Sequence, residues 1–210
     1  MTIFKPLDRE VVGALQSELP YGCLAIAAST GGIGALGEFF AALPAQIGVP
    51  ILITQHLPPP FMRHFAAQIE TIAKRPAAVA GAGEALAPDR ILIAPGDAHL
   101  RVVRSGSGLR VRLDRSPSAS GCLPSADPMF AAVAGVFGAS GLAVLLSGMG
   151  RDGLNGAQAL AAVGGTVMAQ DREFRPESDA MDYYEALNLR AQEKPEDALK
   201  LLEKVEANYK

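Results

Sequence analysis

The chain has 210 residues, 19 Lys+Arg against 22 Asp+Glu, a formal net charge of −3, and a composition that is 49% hydrophobic. That length suits one medium α/β domain with a core large enough to need no covalent staple. The mildly acidic balance, with no basic cluster interleaved with aromatics, argues against a nucleic-acid footprint.

No apolar run approaches the roughly 20 residues that span a bilayer, so no membrane insertion is expected. The opening Met1-Thr2-Ile3-Phe4-Lys5-Pro6 lacks the parts of a secretory signal, and the expected location is cytoplasmic. Two cysteines, Cys23 and Cys122, make no disulfide framework and would stay reduced there. Three separated histidines without paired cysteines offer no metal-ligand spacing, so no metal and no cofactor are expected.

In chain order, an amphipathic helix over Asp8 to Leu19 precedes apolar strands that alternate with helical stretches. Strands are predicted at Leu24 to Ala28, Ile51 to Gln55, Ala77 to Ala80, Arg90 to Ala94, Ala143 to Ser147 and Thr166 to Gln170. Helices are predicted at Ile33 to Leu43, Phe61 to Lys74, Pro128 to Phe137 and Gly153 to Val163. The rhythm predicts an α/β fold with a doubly wound, mainly parallel sheet flanked by helices. One antiparallel hairpin interrupts it, where Leu100 to Arg104 and Leu109 to Leu113 alternate apolar with basic around Ser105-Gly106-Ser107-Gly108. After Gly165 glycine vanishes and charges crowd together, with helices expected over Asp179 to Gln192 and Pro195 to Asn208.

The segment Ala28-Ser29-Thr30-Gly31-Gly32-Ile33-Gly34-Ala35-Leu36-Gly37 is open to two readings, a nucleophile on a tight turn or a dinucleotide loop through Gly32, Gly34 and Gly37. The dinucleotide reading wants an acid closing the second strand, and this chain puts Gln55-His56 there. The nucleophile reading finds partners at the carboxyl ends of other strands. His56 follows the second, and Asp152 lies in Ser147-Gly148-Met149-Gly150-Arg151-Asp152-Gly153.

A serine hydroxyl attacks carbonyls only when a base takes its proton. An imidazole, titrating near pH 6.5, suits that task, and a carboxylate fixes its tautomer. Amides freed at the turns around Met149 and after Ser29 are candidates to face an oxyanion. Each group has a plainer reading: Ser29 and Asp152 as helix caps, His56 as a loop histidine. His99 is a rival base and Asp97 and Asp127 are rival acids, but turn chemistry accounts for Asp97, and His99 and Asp127 are kept as site-lining candidates and not as primary members; His64 reads as surface.

Four ordered segments, Ala28 to Gly32, Ile53 to Phe61, Ile93 to His99 and Leu146 to Gly153, resemble the catalytic domain of CheB, the chemoreceptor protein-glutamate methylesterase. Pro124-Ser125-Ala126-Asp127 and Ala169-Gln170-Asp171-Arg172-Glu173 are similar to further family segments. The resemblance covers roughly residues 22 to 173, leaving 1–173 as a methylesterase-like domain and 174–210 as a charged helical tail atypical for the family.

It implies a hydrolase with Ser29 as nucleophile, His56 as general base and Asp152 as its orienting carboxylate. Thr30, Gly31 and the Met149 amide would line the site. The implied substrates are glutamyl methyl esters on the cytoplasmic helices of methylated chemoreceptors, with glutamine deamidation as a second activity, in chemotaxis adaptation. Where many members have Arg before Pro-Ser-x-Asp, this chain has Leu123, and no receiver domain is expected ahead of the first strand. A scaffold module of the same fold and a small-ester hydrolase stand as alternatives.

Overall fold

Cys23–Ala28 and Ile51–Gln55 are buried at every position, which requires strands covered on both faces and explains their unbroken apolar sequence. The computed structural model describes residues 2–4, 21–29, 31–106, 108–146 and 151–170. The predicted helices over 8–19, 179–192 and 195–208 lie outside the described residues, as do Thr30, Ser147 and Met149.

In chain order the elements are β1 (Thr2–Phe4), β2 (Cys23–Ala28), α1 (Gly32–Ala42), β3 (Ile51–Gln55), α2 (Met62–Ala73), β4 (Ala77–Val79) and β5 (Ile91–Ile93). They continue with β6 (His99–Ser105), β7 (Gly108–Asp114), α3 (Ala126–Phe137), β8 (Gly141–Leu145), α4 (Leu154–Ala162) and β9 (Thr166–Gln170). Among the described residues seven strands form one sheet in the order β1-β9-β8-β2-β3-β5-β4, and every pairing in it is parallel. From β2 the chain pairs β3 on one side and later β8 on the other, so the topological switch lies between β2 and β8. The predicted doubly wound class is the observed one, and the predicted hairpin is β6 and β7, antiparallel from His99↔Asp114 to Ser105↔Gly108.

Period-two alternation sends Leu24, Ile26, Ile51, Ile53, Leu142 and Val144 to one face, where they meet α1 and α2. In α2 the buried residues Met62, Phe65, Ala66, Ile69 and Ala73 form a stripe at helical spacing. The other face carries Cys23, Ala25, Leu52 and Ala143 under α3, α4 and the hairpin. In α3, Ala126, Met129, Phe130, Val133 and Ala134 are buried, again at helical spacing. The small strand residues on this face let α3 settle close to the sheet, and each buried large side chain contributes about 1.5–3 kcal/mol.

Most predicted bounds move by one or two residues, and two shifts bear on the sheet. Strand β8 begins at Gly141, because Gly141 and Leu142 already pair with Cys23 and Leu24. The predicted first strand is the second, because Thr2–Phe4 adds a parallel edge strand beside β9, too short to show periodicity.

Helices α3 and α4 touch through Gly156. A Cβ there would lie 2.6 Å from the Asp127 carbonyl oxygen and 2.8 Å from Phe130 Cβ. Helix propensity alone favours alanine over glycine by about 1 kcal/mol, but the obstruction includes backbone, where overpacking costs typically about 1–3 kcal/mol. Gly156→Ala is therefore expected to lower the urea midpoint of unfolding; a raised midpoint would contradict this packing.

Candidate active site

Ser29 stands one residue beyond β2, at the carboxyl edge of the sheet beside the topological switch, where open parallel sheets place their ligands. Its backbone is pinned: the Ser29 carbonyl accepts from Gly32 N at 2.8 Å and from Gln55 Nε2 at 3.0 Å. The turn passes through Gly31 at φ 78°, a left-handed conformation that glycine adopts at no steric cost. Gly31 occupies the cap position of α1, which has no side-chain cap hydrogen bond. The Ser29 hydroxyl is thus not the helix cap that a plain reading makes of it.

That hydroxyl meets His56. Ser29 Oγ is 3.1 Å from His56 Nδ1, and His56 Nε2 is 2.8 Å from Asp152 Oδ2. The three predicted side chains form one continuous hydrogen-bonded chain. With Asp152 ionised, Nε2 carries the proton and donates to the carboxylate, leaving the Nδ1 lone pair to accept from Ser29. The ring is reversed relative to the serine-protease template, in which Nε2 faces the serine.

Asp152 is held by more than His56. Its Oδ2 also accepts from Ala126 N at 2.8 Å, while Oδ1 accepts from Ser120 Oγ at 2.7 Å and Ser125 Oγ at 2.5 Å. Burial pushes the Asp152 carboxyl up and is the largest single influence. The hydrogen bonds from His56, Ser125, the Ala126 amide and Ser120 together outweigh it, so the carboxyl is held well below the usual carboxylate range. Asp152 is free for this role because it does not cap α4. Asp127 does so from α3, its Oδ1 accepting from Gly156 N at 2.8 Å, and the N-cap position of α4 is Gly153, without a side-chain bond.

The rivals are thereby placed. Asp127 is a helix-capping residue and Asp97 pairs with Arg115 at 2.8 Å. His99 is buried with both nitrogens used: Nδ1 accepts from Ser125 N at 2.9 Å and Nε2 donates to Ser116 O at 2.9 Å. It cannot serve as a second base. It clamps both ends of the loop that carries Ser120 and Ser125 instead. His64 is exposed on α2, as expected.

Ser120, Ser125 and Gln55 are participants to which sequence reasoning gave no role, whereas His99, kept as a site-lining candidate and not as the base, supports the site through the loop it clamps. Two sequence signals pointed to Ser125: its place before α3, where it is the N-cap and accepts from Asp127 N, and the similarity of Pro124-Ser125-Ala126-Asp127 to a family segment. Gly31 is located at the turn, whereas Thr30 and Met149, the other predicted lining residues, fall outside the described residues.

Beside the triad opens a cleft of about 430 Å³ lined by His56, Leu57, Pro58, Pro59, Gly96, Cys122 and Leu123. Leu123 is 47% exposed, so an apolar side chain stands at the rim where the resemblance leads one to look for an arginine. The His56 side chain is 27% exposed toward this opening and that of Asp152 only 6%. A base reachable from solvent, backed by a buried ionised acid, suits a group that exchanges protons with a substrate and with water.

The family model described as CheB methylesterase matches residues 24–181. A protein-glutamate methylesterase/protein-glutamine glutaminase 2 of Caulobacter vibrioides is 45% identical over 153 residues, covering 72% of this chain and 44% of its own length. A namesake of a group 2 operon in Bradyrhizobium diazoefficiens is 42% identical over 165 residues, covering 76% of this chain and 41% of its own. The chain thus spans less than half the length of these curated relatives. The crystal structure of the Thermotoga maritima CheB methylesterase catalytic domain superimposes with a TM-score of 0.69 at 33% identity, covering 72% of this chain and 80% of that one.

If His99 is the clamp described, His99→Leu leaves the Ser125 amide and the Ser116 carbonyl without their side-chain partner. A stability loss of about 1–3 kcal/mol for a buried unpaired group is expected, read from the urea midpoint at constant slope. An unchanged midpoint would show that the loop needs no such tie.

Proposed function

The chain belongs to the CheB methylesterase family, and we propose that it is a serine hydrolase removing methyl esters from glutamyl side chains. The observation that carries the reading is the unbroken hydrogen-bond chain from Ser29 Oγ through both His56 nitrogens to Asp152.

In the proposed reaction His56 Nδ1 takes the Ser29 proton as Oγ attacks the ester carbonyl carbon. Asp152 stabilises the imidazolium that forms, since its negative charge lies 2.8 Å from Nε2. The tetrahedral oxyanion is met by backbone amides at the glycine turns, with Met149 and Gly31 as the assigned contributors and Thr30 beside the nucleophile. Collapse breaks the carbon–methoxy bond, Nδ1 hands its proton to the leaving oxygen, and methanol departs. Water then enters, Nδ1 takes one of its protons, and attack on the glutamyl–Ser29 ester releases glutamate and restores the hydroxyl. A glutamine side chain follows the same route with ammonia leaving, in line with the double name carried by the relatives.

The proposed partners are the cytoplasmic helices of methylated chemoreceptors, with the protein acting in the cytoplasm; among the described residues no helix is long and apolar enough to cross a membrane. The cleft at His56, with Leu57, Pro58 and Leu123 on its walls, suits the apolar stem of a glutamyl side chain and its methyl cap. Residues 1–173 are read as the catalytic unit and 174–210 as an appended tail.

Methanol release from a methylated receptor fragment is the direct test. Ser29→Ala is expected to cut turnover on the order of 10⁴- to 10⁶-fold with an unchanged circular dichroism spectrum; wild-type turnover in that variant would overturn the assignment. Asp152→Asn turns an acceptor of four donors into a group presenting an NH₂ to some of them. It is expected to favour the His56 tautomer protonated on Nδ1 and to cost roughly 10⁴-fold in kcat. Retained turnover would remove Asp152 from the mechanism.

A further inference from the structure

Cys122 lies on the serine-rich loop, beside the triad in space although distant from it in sequence. One ligand atom each from His56, Cys122 and Asp152 falls within 4.8 Å of the others. A thiol, an imidazole and a carboxylate form the donor set that zinc favours, and a tetrahedral ion with bonds of about 2.0–2.3 Å holds its ligands roughly 3.5 Å apart. Closing from 4.8 Å to that spacing is within the reach of side-chain rotation at Cys122, which borders the open cleft.

The site also has a prepared outer shell, because Asp152 is already oriented by Ser120, Ser125 and the Ala126 amide, as ligating carboxylates commonly are. Spacing along the chain is blind to such a set, since its members come from the ends of β3 and β8 and from the loop before α3.

We propose that His56 Nε2, Cys122 Sγ and Asp152 Oδ2 form an inhibitory zinc site that switches the nucleophile off. This inference rests on the hydrolase reading for its regulatory meaning, but not for the binding itself. The ion displaces the proton shared by His56 and Asp152. That proton moves to Nδ1, the imidazole stays neutral, and the Cys122 thiol releases one proton to solvent. A dication held by a carboxylate and a thiolate leaves the site with no net charge, and the remaining position is open to water. With Nδ1 now protonated, His56 cannot accept the Ser29 proton, so attack on the ester stops while the fold is untouched. The thiolate selects zinc over magnesium and calcium, which prefer oxygen ligands.

The decisive experiment uses cobalt(II) as a spectroscopic stand-in for zinc, followed by zinc itself. Titration of the full chain with Co²⁺ is expected to raise a thiolate-to-cobalt charge-transfer band in the near ultraviolet that is missing in Cys122→Ser and is displaced by Zn²⁺. Zn²⁺ is expected to abolish methanol release reversibly, with recovery on adding a chelator and no effect of Mg²⁺ at the same concentration. Measured against its own metal-free rate, Cys122→Ser is expected to need at least about tenfold more Zn²⁺ for half inhibition. No band in the wild type, an equal band in Cys122→Ser, or equal zinc sensitivity of the two proteins would each overturn the proposal. Because the band requires no turnover, a protein without esterase activity that still shows the Cys122-dependent band would sink the hydrolase reading and leave the metal site standing.

Discussion

The carboxylate of Asp152 is the point on which the site turns. A buried negative charge without partners costs several kcal/mol, and this one is matched by four donors from two parts of the chain: His56 after β3, and Ser120, Ser125 and the Ala126 amide in the stretch that leads into α3. Those bonds satisfy the charge and also fasten the loop after β8 to the base, to the serine loop and to the first turn of α3. Because both oxygens only accept, the neutral imidazole opposite has one tautomer available, and that tautomer leaves Nδ1 ready for a proton. The acid is available because Asp127, from the neighbouring helix, has taken over the capping of α4.

The architecture was legible because this sheet is buried on both sides. Continuous apolar runs, punctuated by helices with stripes at helical spacing, leave few alternatives to a parallel doubly wound fold. Ser29, His56 and Asp152 were legible for a related reason, since each follows an apolar strand at the edge where such folds place chemistry. The supporting shell was hidden. Ser120 and Ser125 look like ordinary loop and cap residues, and His99 shows only as a site-lining candidate, because the sequence carries no record of which lone pairs the fold has already engaged. Cys122 was hidden in the same way, its neighbours being set by the folding of a loop onto the end of β8. The short edge strand Thr2–Phe4 escaped notice because three residues carry no period.

The reversed ring of His56 follows from strand order. Ala28 and Gln55 are register partners on adjacent parallel strands, and Ser29 and His56 each stand one residue beyond that last rung. Adjacent strands lie about 4.8 Å apart, which brings the nearer ring nitrogen, Nδ1, against the serine. Nε2, farther from the main chain, is left to reach over β2 to the loop that follows β8 on its other side.

Siting the nucleophile and its base directly after two paired central strands also bears on how the pair responds to thermal opening. Central strands buried on both faces exchange their amide hydrogens only in the largest openings of a domain, whereas loop ties break in smaller and more frequent ones. Ser29 and His56 are each anchored on one side by such a strand, β2 and β3. The link to the acid depends on loops outside the ladder and opens at lower cost. A molecule caught in such a local opening keeps its serine and imidazole together but has lost the charge that sets their protons, and it becomes competent again on reclosing, without refolding.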